Sequence, residues 1–131
     1  MIHTAFVGGW TEPRGSRPFF GSLLLGVADE QGELRYAGRV ASGFKDAQLG
    51  VIWKQLRALK TKAAPFPVVP ETIERAHWVK PTLAVQVHFS GWTKDGRLRR
   101  PVFAGLVDKD AKRERAHKER HSVAADATRR D

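Results

Sequence analysis

The sequence predicts an all-β fold, a small barrel of five short strands with one α-helix between the third and the fourth. Three observations predict it. Strand-sized apolar segments recur along residues 5–107. Two four-residue segments, 29–32 and 93–96, combine Asp with a final Gly, as hairpin turns do. A single segment near the middle of the chain has apolar residues at the spacing of an amphipathic helix.

The composition is that of one small basic domain. The chain has 131 residues, 41% of them hydrophobic, which suffices for one core and not for two. It contains no cysteine, so disulfides, thiolate metal sites and cysteine nucleophiles are excluded. No apolar run approaches the ~20 residues of a membrane span, and the first residues lack a signal-peptide pattern, so we expect a cytoplasmic protein.

Most of the positive charge belongs to the predicted domain. The net charge is +9, of which +3 falls on residues 109–131 and +6 on residues 1–108. We expect residues 1–108 to fold and residues 109–131 to form a flexible polar tail, frayed or partly helical. A basic domain favours polyanionic partners, and nucleic acid is the first candidate.

Three strands are predicted before the helix. Residues 5–10 and 19–29 are strand-like, and the loop between them is rich in Pro, Gly and Ser and carries Arg14 and Arg17. After the turn at residues 29–32, polar and apolar residues alternate along a third strand, residues 33–40. This alternation predicts one face with Leu34, Tyr36 and Val40, and an open face with Arg35, Ala37 and Arg39.

The predicted helix begins at Asp46, which is a suitable N-cap residue. The apolar residues that follow form one stripe at helical spacing: Leu49, Ile52, Trp53, Leu56 and Leu59. Such regular spacing indicates packing on a core rather than a cofactor site. Residues 61–75 contain three prolines and are predicted to be a long connection.

Two further strand segments, residues 76–80 and 82–89, surround Pro81, and a last strand is predicted over residues 97–107. In the second of these segments, alternate residues share an apolar face: Leu83, Val85, Val87 and Phe89. The order of strands and helix suits the OB-fold, a five-stranded, partly open barrel. An SH3-like barrel and a split α+β sheet are the competing shapes.

The sequence offers no recognisable catalytic or metal site. Gly21 and Gly26 have the spacing of a phosphate-binding loop but lack its lysine and hydroxyl residue, so we expect them to relieve crowding at a bend of the barrel. No short segment pairs a nucleophile with a base, and no carboxylates stand out as an acid–base couple. His77 and His88 are interpreted as outward polar residues rather than metal ligands.

The basic residues carry the functional prediction. Eight of them fall in predicted strands or the loops beside them: Arg14, Arg17, Arg35, Arg39, Lys80, Arg97, Arg99 and Arg100. Positive strands and loops near aromatic residues are typical of nucleic-acid-binding surfaces, because phosphate contacts supply most of the affinity. Trp53 and Trp78 are interpreted as core residues. Trp10 and Trp92 lie at strand ends, where either base stacking or core packing is open to them.

Five segments, taken in order, resemble one known family: residues 6–17, 20–27, 34–44, 76–81 and 92–106. They are similar to the C-terminal OB domain of bacterial ATP-dependent DNA ligases of the ligase-D type, which act in DNA repair by end joining. In that family an adenylation (nucleotidyltransferase) domain precedes the OB domain and carries the nucleotide-attacking lysine in a KxDG motif.

The resemblance implies a place in the ligation cycle. The adenylation domain takes AMP from ATP and passes it to the 5′-phosphate of a nick, where the 3′-hydroxyl displaces it, with a divalent metal aiding each step. The OB domain closes over the active site and then grips duplex DNA. The implied partners are nicked or broken duplex DNA, associated with the bacterial nucleoid, and an adenylation domain. ATP and metal are implied for the complete ligase, and no cofactor for this chain alone.

The sequence departs from the family at two points. It contains no KxDG motif, so the resemblance implies no ligation by this chain alone. The family's Arg-x-Asp-Lys motif, which orients the ATP pyrophosphate, is altered: Val107 replaces the arginine, and Asp108 and Lys109 are its remnant. The residues leave three other interpretations open, namely a stand-alone single-strand-binding OB protein, an RNA-binding barrel and a remnant with only structural capacity.

Overall fold

The structure, a computed structural model, describes residues 1–15, 18–68 and 75–107. In chain order its elements are β1 (Ile2–Thr11), β2 (Ser22–Ala28), β3 (Leu34–Val40), α1 (Asp46–Ala58), β4 (Ala76–Trp78), β5 (Ala84–His88), β6 (Gly91–Trp92), β7 (Leu98–Arg99) and β8 (Val102–Leu106). The predicted tail, residues 109–131, lies outside the described residues. Within the described ranges, no helix is long and apolar enough to cross a membrane.

The five longer strands form one antiparallel sheet in the order β3-β2-β1-β5-β8. The short β4 pairs with the end of β1, and β6 and β7 form a separate two-stranded ribbon. The edges of the sheet approach each other where the Phe103 N–H donates to the Ser42 carbonyl, at 2.8 Å. This strand order, with the helix between the third and fourth long strands, is that of a partly open OB barrel, so the predicted fold class is confirmed.

The predicted apolar stripe attaches the helix to the barrel. Leu49, Ile52 and Leu56 are buried in the same core cluster as the inward residues of the sheet, and Trp53 and Leu59 pack against it. The alternate apolar residues predicted on one face of the strand at residues 82–89 are also all buried: Leu83, Val85, Val87 and Phe89. Periodicity therefore located the core on both kinds of element.

The predicted N-cap, Asp46, is wrong by one residue. Lys45 occupies the cap position with an extended backbone, and its N–H donates to Oε1 of Gln48 at 2.9 Å. Asp46 instead lies in the first turn, where a carboxylate interacts favourably with the helix dipole.

A β-bulge changes the faces predicted for the third strand. Leu25 pairs with Gly38 while Gly26 pairs with Tyr36, so Ala37 is an extra residue between the two pairs. Ala37, predicted on the open face, is therefore buried and 1% exposed, whereas Arg35 and Arg39 remain on the outside. The glycine at the bulge is needed there, because a Cβ on Gly26 would lie 2.7 Å from side chains packed over it.

Two predicted strands are interrupted or shortened by a residue with a left-handed backbone. The second begins at Ser22 rather than at residue 19, because Phe19 has a left-handed backbone with φ +71°. The predicted last strand, residues 97–107, divides into β7 and β8, because Arg100 has φ +54° and Pro101 follows it. Both hairpin turns form as predicted, with Gly32 and Gly96 each at φ +79°.

Candidate nucleic-acid interface

Most of the predicted basic residues lie where OB-folds bind ligands. Arg17 lies outside the described residues, and the other seven are exposed. OB-folds bind oligonucleotides on the face of their second and third strands and on the loops that join strands 1–2 and 4–5. Arg14 lies in the first of these loops and Arg39 on β3. The second loop is the segment between β5 and β8, which carries Arg97, Arg99 and Arg100.

Tyr36 connects the β6–β7 ribbon to β3. The guanidinium carbon of Arg97 lies 4.9 Å from the centre of the Tyr36 ring, a cation–π contact. Burial raises the pKa of the Tyr36 hydroxyl above its ordinary value, and the positive charges of Arg97 and Arg39 oppose that shift. The contact of Arg97 with Tyr36 therefore brings a residue distant in sequence to the strand that also carries Arg39.

Arg39 also lines a surface concavity of about 230 Å³ between β3 and the β1–β2 loop. Arg14 lines it too, so arginines from two separate segments border one space. Its most buried polar lining residues are Thr11 and Ser22, 1% and 3% exposed, whose hydroxyl oxygens are 2.7 Å apart. Glu12 adds one carboxylate to the lining. The concavity therefore combines positive charge at its exposed rim with hydroxyl groups at its base.

Arg99 and Arg100 lie where the chain passes from β7 into β8. The Arg99 carbonyl accepts hydrogen bonds from the N–H and the hydroxyl of Ser90, at 2.9 and 3.2 Å. The bond from Phe103 to Ser42 brings this passage to the end of the strand that carries Arg39. We call the following five residues the arginine surface: Arg14, Arg39, Arg97, Arg99 and Arg100.

Arg35 and Lys80 have other surroundings. Nε of Arg35 donates to Oδ2 of Asp29 at 2.6 Å, and its Nη2 lies 3.3 Å from Oε1 of Glu33. The hydrogen bond from Arg35 is the main reason that the pKa of the Asp29 carboxyl is lowered. Lys80 follows β4 and lies beside the C-terminal end of α1, where its backbone N–H donates to the Leu59 carbonyl at 2.8 Å. The structure thus gives Arg35 two carboxylate partners and associates Lys80 with the helix.

Trp10 packs within the protein. Its ring stacks on His77, with centroids 4.1 Å apart and planes at 12°, and meets Trp53 edge-on at 4.7 Å. His77, interpreted from the sequence as an outward residue, is half-buried, and its Nε2 lies 2.9 Å from Oε2 of Glu12. Trp53 and Trp78 are half-buried, less so than a core assignment implies.

Trp92 is the more accessible of the two tryptophans at strand ends. It is 43% exposed and makes edge contacts with His3 at 5.3 Å and Phe89 at 5.1 Å. A ring held at its edges with much of its surface exposed is available to a partner.

The sequence did not single out Tyr36, Glu12 or the Thr11–Ser22 pair as site residues. Tyr36 and Arg97 are brought together by the ribbon, and Thr11 and Ser22 face each other through the pairing of β1 with β2. The one available signal was the position of Thr11 and Ser22 at the two ends of the arginine-bearing loop.

The sequence also raised pyrophosphate binding and metal ligation. Asp108 and Lys109, the predicted remnant of the pyrophosphate motif, lie outside the described residues. Across the ranges that the structure describes, no group of three or more His, Asp and Glu side chains is placed to hold a metal ion.

Comparison with known proteins gives the family. A sequence profile described as the ATP dependent DNA ligase C terminal region matches residues 16–110, nearly three quarters of the chain. The chain belongs to this family. The match includes β2 to β8 and the part of the β1–β2 loop that follows Arg14, so four of the five residues of the arginine surface lie inside the ligase C-terminal region.

Relatives and solved structures agree with this assignment. The multifunctional non-homologous end joining protein LigD of Pseudomonas aeruginosa is 40% identical over 110 residues, which is 81% of this chain, and its Mycobacterium tuberculosis counterpart is 37% identical over 103 residues, or 76%. The ligase domain of M. tuberculosis LigD superposes with a TM-score of 0.68 at 33% identity over 82% of this chain. A mycobacterial DNA ligase D complexed with ATP and MES superposes with a TM-score of 0.70 at 32% identity over 83%.

The ligase C-terminal region is one part of those proteins. The chain spans 13% of the length of the curated LigD relatives and about a third of the solved chains, 35% and 34%. The predicted resemblance to ligase-D-type OB domains is confirmed, and the similarity extends over the strands that carry the arginine surface.

Proposed function

We propose that this chain is the OB domain with which a LigD-type, ATP-dependent DNA ligase clamps nicked or broken duplex DNA in end joining. In this proposal it also docks on a nucleotidyltransferase domain, and it acts at the bacterial nucleoid. Family membership and the similarity to LigD proteins support the assignment to a ligase. The arginine surface supports the proposed binding of DNA.

The observation that carries the proposal is the convergence of three separate segments on one basic region. Arg14 and Arg39 line one concavity, Arg97 lies over the ring of Tyr36 on the same strand as Arg39, and the chain that follows Arg99 and Arg100 is hydrogen-bonded to Ser42 just beyond β3. Guanidinium groups on loops and an outer strand suit contacts with backbone phosphates, which do not depend on base sequence. A ligase needs such contacts, because it must accept ends of any sequence.

Nucleotide chemistry is assigned to the rest of the enzyme. The sequence has no KxDG lysine, and the chain corresponds to only about a third of the solved ligase chains. ATP and a divalent metal therefore belong to the complete ligase in this proposal, and the described residues of this chain supply DNA contacts. The residues that would have to meet the ATP pyrophosphate, Asp108 and Lys109, remain a proposal from the resemblance alone.

One observation favours a second function, single-strand binding. Trp92 is 43% exposed and could stack on a base. On β3, however, where OB proteins present aromatic rings to bases, Tyr36 already carries Arg97 over its ring. Because the Tyr36 ring is already covered by Arg97, phosphate contacts are favoured over stacking on this strand.

Binding assays separate the two functions. Fluorescence anisotropy with labelled nicked duplex, intact duplex and single strand, at two salt concentrations, should show tighter binding to the duplexes and a strong loss of affinity at high salt. Preference for the single strand would contradict the clamp, and absent or salt-insensitive binding would contradict nucleic-acid function altogether.

A matched pair of variants tests the surface. Arg97→Gln with Arg99→Gln should reduce the slope of log K against log salt by about 1.8, since each lost phosphate contact removes about 0.9. Lys54→Gln with Arg57→Gln removes the same charge from the exposed side of α1 and should leave the slope nearly unchanged. Equal losses in the two double variants would show that only total charge matters.

A further inference from the structure

We propose that Arg14 and Arg39 together hold one phosphodiester group of the DNA backbone in the concavity between the β1–β2 loop and β3. The inference rests on the proposed clamp function and names the group of the substrate that this part of the arginine surface binds. It predicts that the two arginines act as one contact rather than two.

The rim of the concavity has the donors that a phosphate requires. A guanidinium group is planar and has five N–H donors, so it can bind phosphate oxygens in pairs while keeping another contact. Arg14 comes from the loop and Arg39 from the strand, and both line the same space of about 230 Å³. Two arginines that border one space from different segments match the several oxygens of a single phosphate.

The base of the concavity has an additional donor. Each hydroxyl has one proton, so in the Thr11–Ser22 hydrogen bond one hydroxyl donates and the other retains its proton. The pair lines the concavity and is almost completely buried, and in the proposed site the remaining O–H donates to the acceptor that enters there. A buried donor gains from such a partner, because leaving it unpaired costs free energy. A phosphate oxygen between the two arginines is an acceptor of this kind.

The shape and the charge favour a diester over a terminal phosphate. Arg14, Arg39 and Ala41 are exposed at the rim, so a chain can continue on both sides of a bound group. Glu12 adds a negative charge to the lining, although its Oε2 also bonds to His77 at 2.9 Å. A carboxylate repels a dianionic terminal phosphate more strongly than the single charge of a diester.

The salt dependence of DNA binding measures how many phosphates Arg14 and Arg39 contact. The full chain is titrated with a 5′-phosphorylated nicked duplex at several salt concentrations, as wild type, Arg14→Gln, Arg39→Gln and the double variant. If both arginines hold one phosphate, the double variant should lose about 0.9 from the slope of log K against log salt. A loss of about 1.8, shared equally between the single variants, would assign them two phosphates and overturn the proposal.

Phosphate replacement locates the contact. Neutral methylphosphonates are placed one at a time along the duplex, and one position should weaken wild-type binding about five- to tenfold while having little further effect on the double variant. The pattern should be the same when the nick carries a 5′-hydroxyl. If the effect of the double substitution disappears on the 5′-hydroxyl duplex, the ligand is the terminal phosphate and the proposal is wrong.

Failure of the proposed clamp function would give a different result from failure of the phosphate site. If wild type does not bind duplex DNA, the clamp itself is refuted. If wild type binds but the double variant keeps its full salt slope and its complete methylphosphonate pattern, the clamp stands and the phosphate site is refuted. Lys54→Gln with Arg57→Gln is the control for net charge, and circular dichroism and thermal unfolding check that each variant is folded.

Discussion

Replacing Gly43 with alanine tests how the barrel closes. Gly43 follows β3 with φ +95°, and an added Cβ would press on the Phe103 carbonyl and lie 2.7 Å from Cγ1 of Val102. The left-handed backbone alone costs an L-residue about 1–2 kcal/mol. Forcing β8 away from the end of β3 costs about 1–3 kcal/mol more, because the hydrogen bond from Phe103 to Ser42 and the packing around it must shift. We expect a total loss of about 3 kcal/mol in the free energy of unfolding.

Gly96 supplies the matched control. Its φ is +79°, but a Cβ there would have nothing within 4 Å, so Gly96→Ala should cost only the backbone term of about 1–2 kcal/mol. Urea unfolding measures both variants, and thermal unfolding should show losses of about 12 °C and 6 °C at roughly 4 °C per kcal/mol. Equal destabilisation of the two variants would refute the close approach of β8 to Gly43.

Further substitutions test the helix, the core and the first turn. Gly50→Ala adds a methyl with nothing within 4 Å in the middle of α1 and should stabilise the protein by about 1 kcal/mol in urea unfolding; a loss would contradict a solvent-facing site. Ile52→Ala empties a fully buried position and should cost about 2–5 kcal/mol; a cost under about 1 kcal/mol would be inconsistent with the packing. The hydrogen bond from Arg35 lowers the pKa of the Asp29 carboxyl below its ordinary value of 3.8. Ionised Asp29 therefore stabilises the folded state above pH 3.8, and this stabilisation is lost as the pH falls through the lowered pKa of the folded protein. Arg35→Ala should raise the Asp29 midpoint in an NMR titration, and an unchanged midpoint would exclude the ion pair as its cause. Arg39→Gln should weaken duplex binding more than Arg35→Gln, since Arg39 lines the concavity together with Arg14 and Arg35 does not; the reverse order would place the contact elsewhere on β3.

Regular periodicity made much of the fold predictable. The helix stripe and the alternate apolar residues of β5 are buried because each repeats at the period of its element. Irregular positions were not predictable in this way. The bulge at Ala37 turns a small residue inward against the alternation, and the left-handed backbone of Arg100 divides an otherwise continuous strand. Both depend on how strands pair across the sheet, which local sequence does not specify.

The candidate site was predictable as a set of residue types but not as an arrangement. Arginine-rich strands and loops were visible in the sequence, and six of the eight selected positions are exposed arginines of the described chain. Which of them act together is decided by tertiary contacts. Arg35 is held by Asp29 in the turn that precedes β3, while Arg97 reaches the Tyr36 ring from a distant segment.

The central claim, that duplex DNA lies along the arginine surface, is tested most directly by NMR mapping. The ¹⁵N-labelled chain is titrated with a nicked duplex, and the amide and arginine side-chain signals are followed. We expect the largest shifts at Arg14, Arg39 and residues 97–100, with little change at Lys54 and Arg57 on the exposed side of α1. Shifts centred on the helix, or on Trp92 without the arginines, would contradict the account.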